Sequence, residues 1–171
     1  MDRLPANISA CIFDLDGVIF DSERAVYREW KLISEKYGFP LLEVPYRKCI
    51  GVNAATCRQI FLDYYGESFP YDKYCEERRQ NFREKYGHGR LPLKPGVTEL
   101  LESLKRKGFK AAIASSTRTQ TVREEIRDAN LLDYFERIVG GDMVERSKPA
   151  PDIFLKAAEV LDVSPENCCV I

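Results

Sequence analysis

The chain has 171 residues, 44% of them hydrophobic, which is enough for one packed core and a small second lobe. Acidic and basic residues nearly cancel to a formal net charge of -1, so no overall field favours nucleic acid or an anionic membrane. No apolar run approaches the length of a membrane span, and the N-terminus shows no secretion pattern. We therefore expect no nucleic-acid partner and no membrane association.

The first predicted element is a short apolar strand that starts at Cys11 and runs into Asp14-Leu-Asp-Gly17. Two carboxylates at positions i and i+2 after a strand point the same way. Because like charges repel, holding Asp14 and Asp16 together favours a divalent cation or a shared proton between them. The pair is thus a candidate for Mg²⁺-assisted chemistry, and the alternative is an ordinary acid-rich turn after a strand.

The region that follows, residues 20–91, predicts helices and no alternating strand. Ser22 caps a helix whose apolar positions include Val26, Trp30 and Ile33, and Gly38 ends it. Pro40 and Pro45 predict a turn, and further helices are expected at about 46–50, 54–65 and 72–86. We interpret residues 20–91 as an all-helical inserted domain.

Helices then alternate with short apolar strands. The helices are predicted near 95–108, 119–129 and 151–161, and the strands near 109–114, 137–139 and 168–171. This alternation implies right-handed crossovers and a doubly wound α/β core made of residues 1–19 and 92–171. Ligands of such sheets bind beyond the carboxyl ends of the strands, where Asp14, Asp16 and Ser115 are predicted.

The six cysteines could form a disulfide framework, but their surroundings argue against one. Three fall in strand-like runs and three in helix-like runs, and no pair has the spacing of a zinc site; the two sets are Cys11, Cys168 and Cys169, and Cys49, Cys57 and Cys75. Buried reduced thiols explain them better, so we expect a cytoplasmic protein.

Four segments of the chain together resemble the haloacid dehalogenase superfamily, in its branch of β-phosphoglucomutase-like phosphatases. They are residues 13–22 (Phe-Asp-Leu-Asp-Gly-Val-Ile-Phe-Asp-Ser), 93–96 (Leu-Lys-Pro-Gly), 113–116 (Ile-Ala-Ser-Ser) and 148–154 (Lys-Pro-Ala-Pro-Asp-Ile-Phe). The resemblance implies a Rossmann-like parallel core with the helical insertion 20–91 as a cap domain. It also implies a Mg²⁺-dependent phosphatase that acts on a small phosphorylated metabolite.

The resemblance also assigns roles to residues. Asp14 would be the nucleophile that becomes an aspartyl phosphate, and Asp16 the general acid and then the base. Mg²⁺ would be held by the Asp14 carboxylate and the Asp16 backbone carbonyl. Lys148 would add positive charge, and Ser115 with the backbone N–H of Ser116 would hold phosphoryl oxygens.

The cap carries the expected specificity of the site. The loop Gly51-Val52-Asn53 is a candidate substrate-facing element, because caps of this type close over the core; an ordinary helix–helix turn is the alternative. β-Phosphoglucomutase has a histidine in the first cap helix and an arginine after the cap's Gly-Val turn. The corresponding positions here hold Val26 and Ala54, which favours hydrolysis over mutase chemistry.

The family's fourth motif, an acidic pair after the last strand, has no counterpart before the chain stops at Ile171. We expect the chain to be a fragment of a longer phosphatase, truncated before that motif. With fewer metal ligands, the fragment would bind Mg²⁺ more weakly and would be a poorer catalyst.

Three alternatives stay open from the sequence. They are a sugar phosphomutase, a non-catalytic phosphate-binding module and a phospho-acceptor signalling domain; the large insertion directly after the first aspartates counts against the last. The expected partner is a small-molecule phosphate ester, and the intact protein is expected to be a monomer.

Overall fold

A computed structural model describes residues 7–40, 43–50, 52, 54–146 and 148–171. This part of the chain contains four strands and seven α-helices, largely in the order that the sequence predicts. In chain order they are β1 (Ala10–Phe13), α1 (Ser22–Tyr37), α2 (Glu43–Cys49), α3 (Ala54–Tyr65), α4 (Tyr71–Tyr86), α5 (Val97–Arg106), β2 (Lys110–Ala114), α6 (Thr119–Asp128), β3 (Arg137–Val139), α7 (Asp152–Leu161) and β4 (Cys168–Val170).

The strands form one parallel sheet in the order β3-β2-β1-β4. From β1 the chain builds outward to β2 and β3, and it then returns to place β4 on the other side of β1. The strand order therefore reverses beside β1, and such a switch point opens a crevice at the carboxyl ends of the strands. The prediction of a doubly wound α/β core is confirmed.

Both faces of the sheet are covered, because alternate residues of each strand point to opposite sides. Cys11, Phe13 and Ile113 pack with α5 and α6, whose buried residues include Leu101 and Ile126. The intervening residues pack against α7 on the opposite face; they include Ala10, Ile12, Ala112 and Val139. Burial on both faces explains why β1 and most of β2 read as unbroken apolar runs.

The chain divides into two compact units. The sheet unit contains Met1–Asp21 and His88–Ile171, and the helical unit contains Ser22–Gly87. The insertion expected at 20–91 is longer at both ends than the helical unit, because Phe20 pairs with Leu93 and the Asp21 N–H donates to the Pro92 carbonyl. The role of the helical unit as a cap domain stays a prediction.

The helical unit has its own aromatic core. Trp30 of α1 stacks on Phe61 of α3 with ring centroids 4.7 Å apart, and Tyr71 of α4 lies 5.7 Å from Trp30. Glu29 is buried in this unit and pairs with Lys85 at 2.9 Å. A buried carboxylate with a partner costs far less than an unpaired one, so this ion pair makes the buried charge tolerable.

The expectation of a turn at Pro45 was wrong. Pro45 is the third residue of α2 and is buried. Proline is tolerated in the first turn of a helix because the N–H that it lacks has no partner within the helix there. The helix therefore starts earlier than the sequence suggested, at Glu43.

All six cysteines are described and all are free thiols, in agreement with the expectation of no disulfides. Burial raises the pKa of Cys11 to about 11, which keeps this thiol protonated and unreactive at neutral pH. No helix in the described ranges has both the length and the apolar character that crossing a membrane requires.

Candidate active site

The candidate site begins where β1 and β2 end together. Their register pairs Phe13 with Ile113, so Asp14 follows its strand beside Ala114. On the other side of β1, the Asp14 N–H donates to the Ile171 carbonyl at 2.9 Å. Asp14 is thus fixed by backbone contacts at the reversal of the strand order, where the fold favours a ligand.

Lys148 reaches this point from the segment before α7. Its Nζ lies 2.8 Å from Asp14 Oδ1 and donates to the Ala114 carbonyl at 3.1 Å. The same Oδ1 accepts the Leu15 N–H at 2.7 Å. The lysine and aspartate side chains are 23% and 34% exposed, so the ion pair is screened by water less than a surface pair is. A phosphate placed here would meet both groups.

Phe154 supports the lysine from α7. The Lys148 Nζ lies 4.8 Å from the centre of the Phe154 ring, within the range of a cation–π interaction. Phe154 lies in the sequence motif 148–154, in which no role was predicted for it. Its ring limits where the lysine head can lie, which helps to aim the charge at Asp14.

Ser115 follows β2 and is only 1% exposed. Its N–H donates to the Val139 carbonyl at 3.0 Å, and its Oγ accepts the Thr117 N–H at 3.1 Å. A serine oxygen that accepts a backbone N–H two residues ahead folds the chain into a tight turn. The next residue, Ser116, is exposed, and α6 starts shortly afterwards.

Asp16 lies on an exposed loop after Asp14. Gly17 adopts φ +74 there, and its N–H donates to the Phe20 carbonyl at 2.9 Å. A residue with a Cβ is strained in this left-handed conformation, which explains the glycine directly after the second acid. The loop thereby turns back within a few residues and keeps Asp16 close to the strand end.

Glu125 of α6 was not among the site residues predicted from the sequence. Burial, with a smaller contribution from the charge of Asp16, raises its pKa to about 7. The influence of Asp16 places α6 within electrostatic reach of the catalytic candidates. No sequence signal marked this residue, because an acid in a charged amphipathic helix usually lies on a solvated face.

The donors near Asp14 can be compared with what Mg²⁺ requires. A carboxylate of Asp14 and a backbone carbonyl of Asp16 are hard oxygen ligands, the type that Mg²⁺ prefers. No cluster of three or more His, Cys, Asp or Glu side chains suited to a metal occurs among the described residues. Mg²⁺ is commonly held by one or two carboxylates together with waters and phosphate oxygens, so these donors fit the ion with water and phosphate completing the shell.

The predicted substrate loop is described only at its centre. Gly51 and Asn53 lie outside the described residues. Val52 belongs to the helical unit and is 42% exposed, and its N–H lies 3.4 Å from the Cys49 carbonyl. Its role toward a substrate stays a prediction, whereas Asp14, Ser115 and Lys148 meet at one edge of the sheet.

Comparison with known proteins gives a consistent family. A model described as haloacid dehalogenase-like hydrolase matches residues 11–171. A phosphorylated carbohydrates phosphatase of Thermotoga maritima is 34% identical over 168 residues, which are 95% of this chain and 75% of the relative. A β-phosphoglucomutase of Bacillus subtilis is 32% identical over 171 residues, covering 96% of this chain and 74% of the relative.

Solved structures agree with these relatives. A β-phosphoglucomutase from Clostridium difficile has a TM-score of 0.69 and 25% identity, and the match covers 95% of this chain and 75% of that chain. The CbbY protein of Rhodobacter sphaeroides, solved with phosphate, has a TM-score of 0.68 and 26% identity over 95% of this chain and 76% of that chain. Both matches span the sheet unit and the helical unit.

Proposed function

Since the chain belongs to the haloacid dehalogenase-like hydrolase family, we propose that it is a Mg²⁺-dependent phosphomonoester hydrolase acting on a small phosphorylated metabolite. Sugar phosphates are the first substrates to test, because a carbohydrate phosphatase is among the relatives. The observation that carries the proposal is the contact between the Lys148 ammonium and the Asp14 carboxylate, 2.8 Å apart at the carboxyl edge of the sheet.

In the proposed reaction, Asp14 is the nucleophile. One of its carboxylate oxygens forms a bond to phosphorus while the bond from phosphorus to the substrate oxygen breaks, which gives an aspartyl phosphate and an alcohol. The Leu15 N–H and the Lys148 ammonium both hold Oδ1, so the carboxylate is oriented before the substrate arrives. Such preorganisation lowers the cost of reaching the transition state.

Asp16 is the proposed proton carrier. It donates a proton to the departing alkoxide and then takes one from the water that attacks the aspartyl phosphate, which releases inorganic phosphate and restores Asp14. Its exposed loop position suits both exchanges with solvent. This assignment explains why an acid, and not an amide or a hydroxyl, stands two residues after the nucleophile.

The remaining groups offset the negative charge of the phosphoryl group. Lys148 offers a cation, and the Ser115 hydroxyl and the Ser116 N–H are the proposed hydrogen-bond donors to phosphoryl oxygens. Mg²⁺, held by the Asp14 carboxylate and the Asp16 carbonyl, would supply further positive charge that offsets repulsion between nucleophile and phosphate.

A sugar phosphomutase is the second candidate, because β-phosphoglucomutases are among the relatives and structural neighbours. Against it, the first helix of the helical unit carries Val26 where that enzyme has a histidine, and the chain's single histidine is His88. We therefore rank hydrolysis first. A mutase should be activated by a sugar bisphosphate and should form an isomeric sugar phosphate, which NMR of the products would detect.

The test of the proposed function uses the protein with a panel of sugar phosphates. We expect Mg²⁺-dependent release of inorganic phosphate that is abolished by EDTA and by Asp14→Asn. Release by Asp14→Asn at the wild-type rate would overturn the assignment of the nucleophile. Binding of inorganic phosphate without turnover of any phosphomonoester would instead support a non-catalytic module.

A further inference from the structure

The turn after β3 is tied to the loop after β2 by one carboxylate. Asp142 Oδ1 accepts the Thr119 backbone N–H at 2.7 Å and the Thr119 hydroxyl at 2.8 Å. The Thr119 hydroxyl oxygen in turn accepts the Gly140 N–H at 3.2 Å. A second strap runs from the Gly141 N–H to the Thr117 carbonyl at 2.9 Å. Two loops that are distant in sequence are therefore joined at four hydrogen bonds.

The two loops approach so closely that side chains are excluded between them. A Cβ on Gly140 would lie 2.2 Å from the Thr119 nitrogen, and one on Gly141 would lie 2.4 Å from the Ser116 carbonyl oxygen. Both distances are far below van der Waals contact, and the atoms that would clash are backbone atoms that cannot rotate away. The pair of glycines therefore permits the hydrogen bonds of Asp142.

Asp142 also replaces a missing helix cap. The residue at the N-cap position of α6 is Arg118, which makes no capping hydrogen bond with its side chain. Free N–H groups at a helix start favour an acceptor, and a negative charge there is also favoured by the helix dipole. The hydrogen bond from the Thr119 N–H is the main reason that the pKa of Asp142 is lowered, so the acceptor is a carboxylate at neutral pH.

We propose that Asp142 is a positioning residue that holds the loop from Ser115 to Thr119 in the geometry needed to bind the phosphoryl group. This inference rests on the proposed function, because the loop is the one assigned to phosphate there. Asp142 and Lys148 both lie in the connection between β3 and α7. The hydrogen bonds of Asp142 therefore also link the segment that carries Lys148 to the loop from Ser115 to Thr119. Asp142 itself touches no reacting atom.

The physical argument is one of rigidity. Ser115 is fixed by β2 and by the Val139 carbonyl, but the residues after it have left the strand. Without Asp142, the Thr119 N–H and hydroxyl lose their shared acceptor, and the loop gains conformations that do not present the Ser116 N–H to phosphate. Ordering the loop then costs conformational entropy when phosphate binds, so phosphate affinity falls. Stabilisation of the transition state falls for the same reason.

The test compares three variants of the protein with the wild type. Asp142→Ala removes both hydrogen bonds, whereas Asp142→Asn keeps an oxygen that can accept them. Arg137→Ala is the matched control. Arg137 is the first residue of β3, whereas Asp142 follows the end of that strand, and the substitution removes a side-chain hydrogen bond to the Val160 carbonyl (3.1 Å). The inhibition constant of inorganic phosphate, kcat and KM are measured for each, together with hydrogen exchange of the amides in residues 115–119.

For Asp142→Ala we expect a rise of about tenfold in the phosphate inhibition constant and a fall in kcat of similar size, the effect of losing one helix cap. Asp142→Asn should restore both to within about threefold of wild type, since charge-assisted bonds are only about twice as strong as neutral ones. Arg137→Ala should leave phosphate inhibition and kcat unchanged. Amide exchange in residues 115–119 should rise only in Asp142→Ala.

The inference is overturned if Asp142→Ala keeps wild-type phosphate inhibition, or if it behaves like Arg137→Ala. Should Asp142→Ala fail to fold, Thr119→Val serves in its place, because it removes the hydroxyl bond and keeps the N–H; unchanged phosphate inhibition in that variant would also overturn the inference. Absence of turnover in the wild type would defeat the proposed function. Unchanged amide exchange in Asp142→Ala would defeat the positioning role separately.

Discussion

The Lys148 ammonium lies 2.8 Å from Asp14 Oδ1, although the two residues come from opposite ends of the sheet unit's sequence. The parallel sheet makes this contact possible, because it gathers the carboxyl ends of its strands at one edge. Asp14 directly follows β1, and Lys148 lies in the connection that follows β3. Exposed ion pairs contribute little because water screens them, but this pair is partly shielded and shares its acceptor with a backbone N–H. We interpret it as a preformed anion site.

The first prediction concerns the charge of Lys148. Lys148→Met keeps an unbranched apolar side chain but removes the ammonium, and with it the ion pair to Asp14 and the cation–π contact with Phe154. We expect kcat/KM for a phosphomonoester to fall by about 10²–10³-fold, as for the loss of one preorganised electrostatic group in an active site. Steady-state kinetics under Mg²⁺ saturation measure this.

Lys156→Met on α7 is the control for that substitution, since Lys156 pairs with Glu159 on the surface of the same helix. It should leave kcat/KM at the wild-type value. Equal effects of the two substitutions would show that Lys148 has no special role at Asp14.

The second prediction separates two adjacent serines. Ser115→Ala removes the buried oxygen that accepts the Thr117 N–H, so it should lower stability by about 1 kcal/mol and raise KM. Ser116→Ala should change neither, because its proposed contribution is a backbone N–H. Thermal unfolding and kinetics of both variants provide the check, and a larger effect at Ser116 would reverse the assignment.

Much of the sheet unit could be predicted from the sequence. Buried parallel strands give unbroken apolar runs, and Gly and Pro mark the helix ends between them, so every strand was predicted within a residue of its observed bounds. Prediction was weaker where tertiary contacts override local signals. Pro45 looked like a turn but lies in α2, and the short 3-10 helices Leu132–Tyr134 and Gly141–Met143 gave no periodic pattern.

The site shows the same division. Asp14, Ser115 and Lys148 follow strands or precede a helix in recognisable motifs, so their meeting at one edge could be expected. Glu125 and Asp142 could not be found in this way, because their roles depend on which loop each faces after folding. An acid on a helix surface and an acid in a glycine turn have many possible partners, and the sequence does not select one.

The third prediction concerns pH and Glu125. In the folded protein the pKa of Glu125 is raised from 4.5 to about 7. At pH values between these two, Glu125 is therefore mostly protonated in the folded protein and mostly ionised in the unfolded chain. Stability from this group is therefore greatest below pH 4.5 and falls as pH rises through about 7. Glu125→Gln should remove this fall. After allowance for solvent screening, we expect a Tm gain over wild type of about 2–4 °C at pH 8, the size of a change of about 1 kcal/mol.

Thermal unfolding followed by circular dichroism in metal-free buffer measures this Tm difference from about pH 4 to about pH 8, which spans the ordinary and the raised pKa of Glu125. Glu124→Gln, at the exposed neighbouring position, is the control and should not change the pH dependence. A Tm difference between Glu125→Gln and wild type that stays constant across this range would contradict the prediction.

The fourth prediction concerns the aromatic core of the helical unit. Phe61 is fully buried and stacks on Trp30, so Phe61→Ala should destabilise the helical unit by about 3–5 kcal/mol. Tyr64→Ala, on the same helix but 39% exposed, should cost less than about 1 kcal/mol. Urea unfolding followed by fluorescence of Trp30, the chain's one tryptophan, reports this unit directly. Similar losses for both variants would contradict the described packing.

The central claim is that Asp14 carries the phosphoryl group during turnover. The most direct measurement is a rapid acid quench of the protein during turnover of a radiolabelled phosphate ester with Mg²⁺, followed by peptide mapping. We predict a base-labile label on the peptide that contains Asp14, and none in the Asp14→Asn variant. Label on another residue, or turnover by Asp14→Asn at the wild-type rate, would contradict the account.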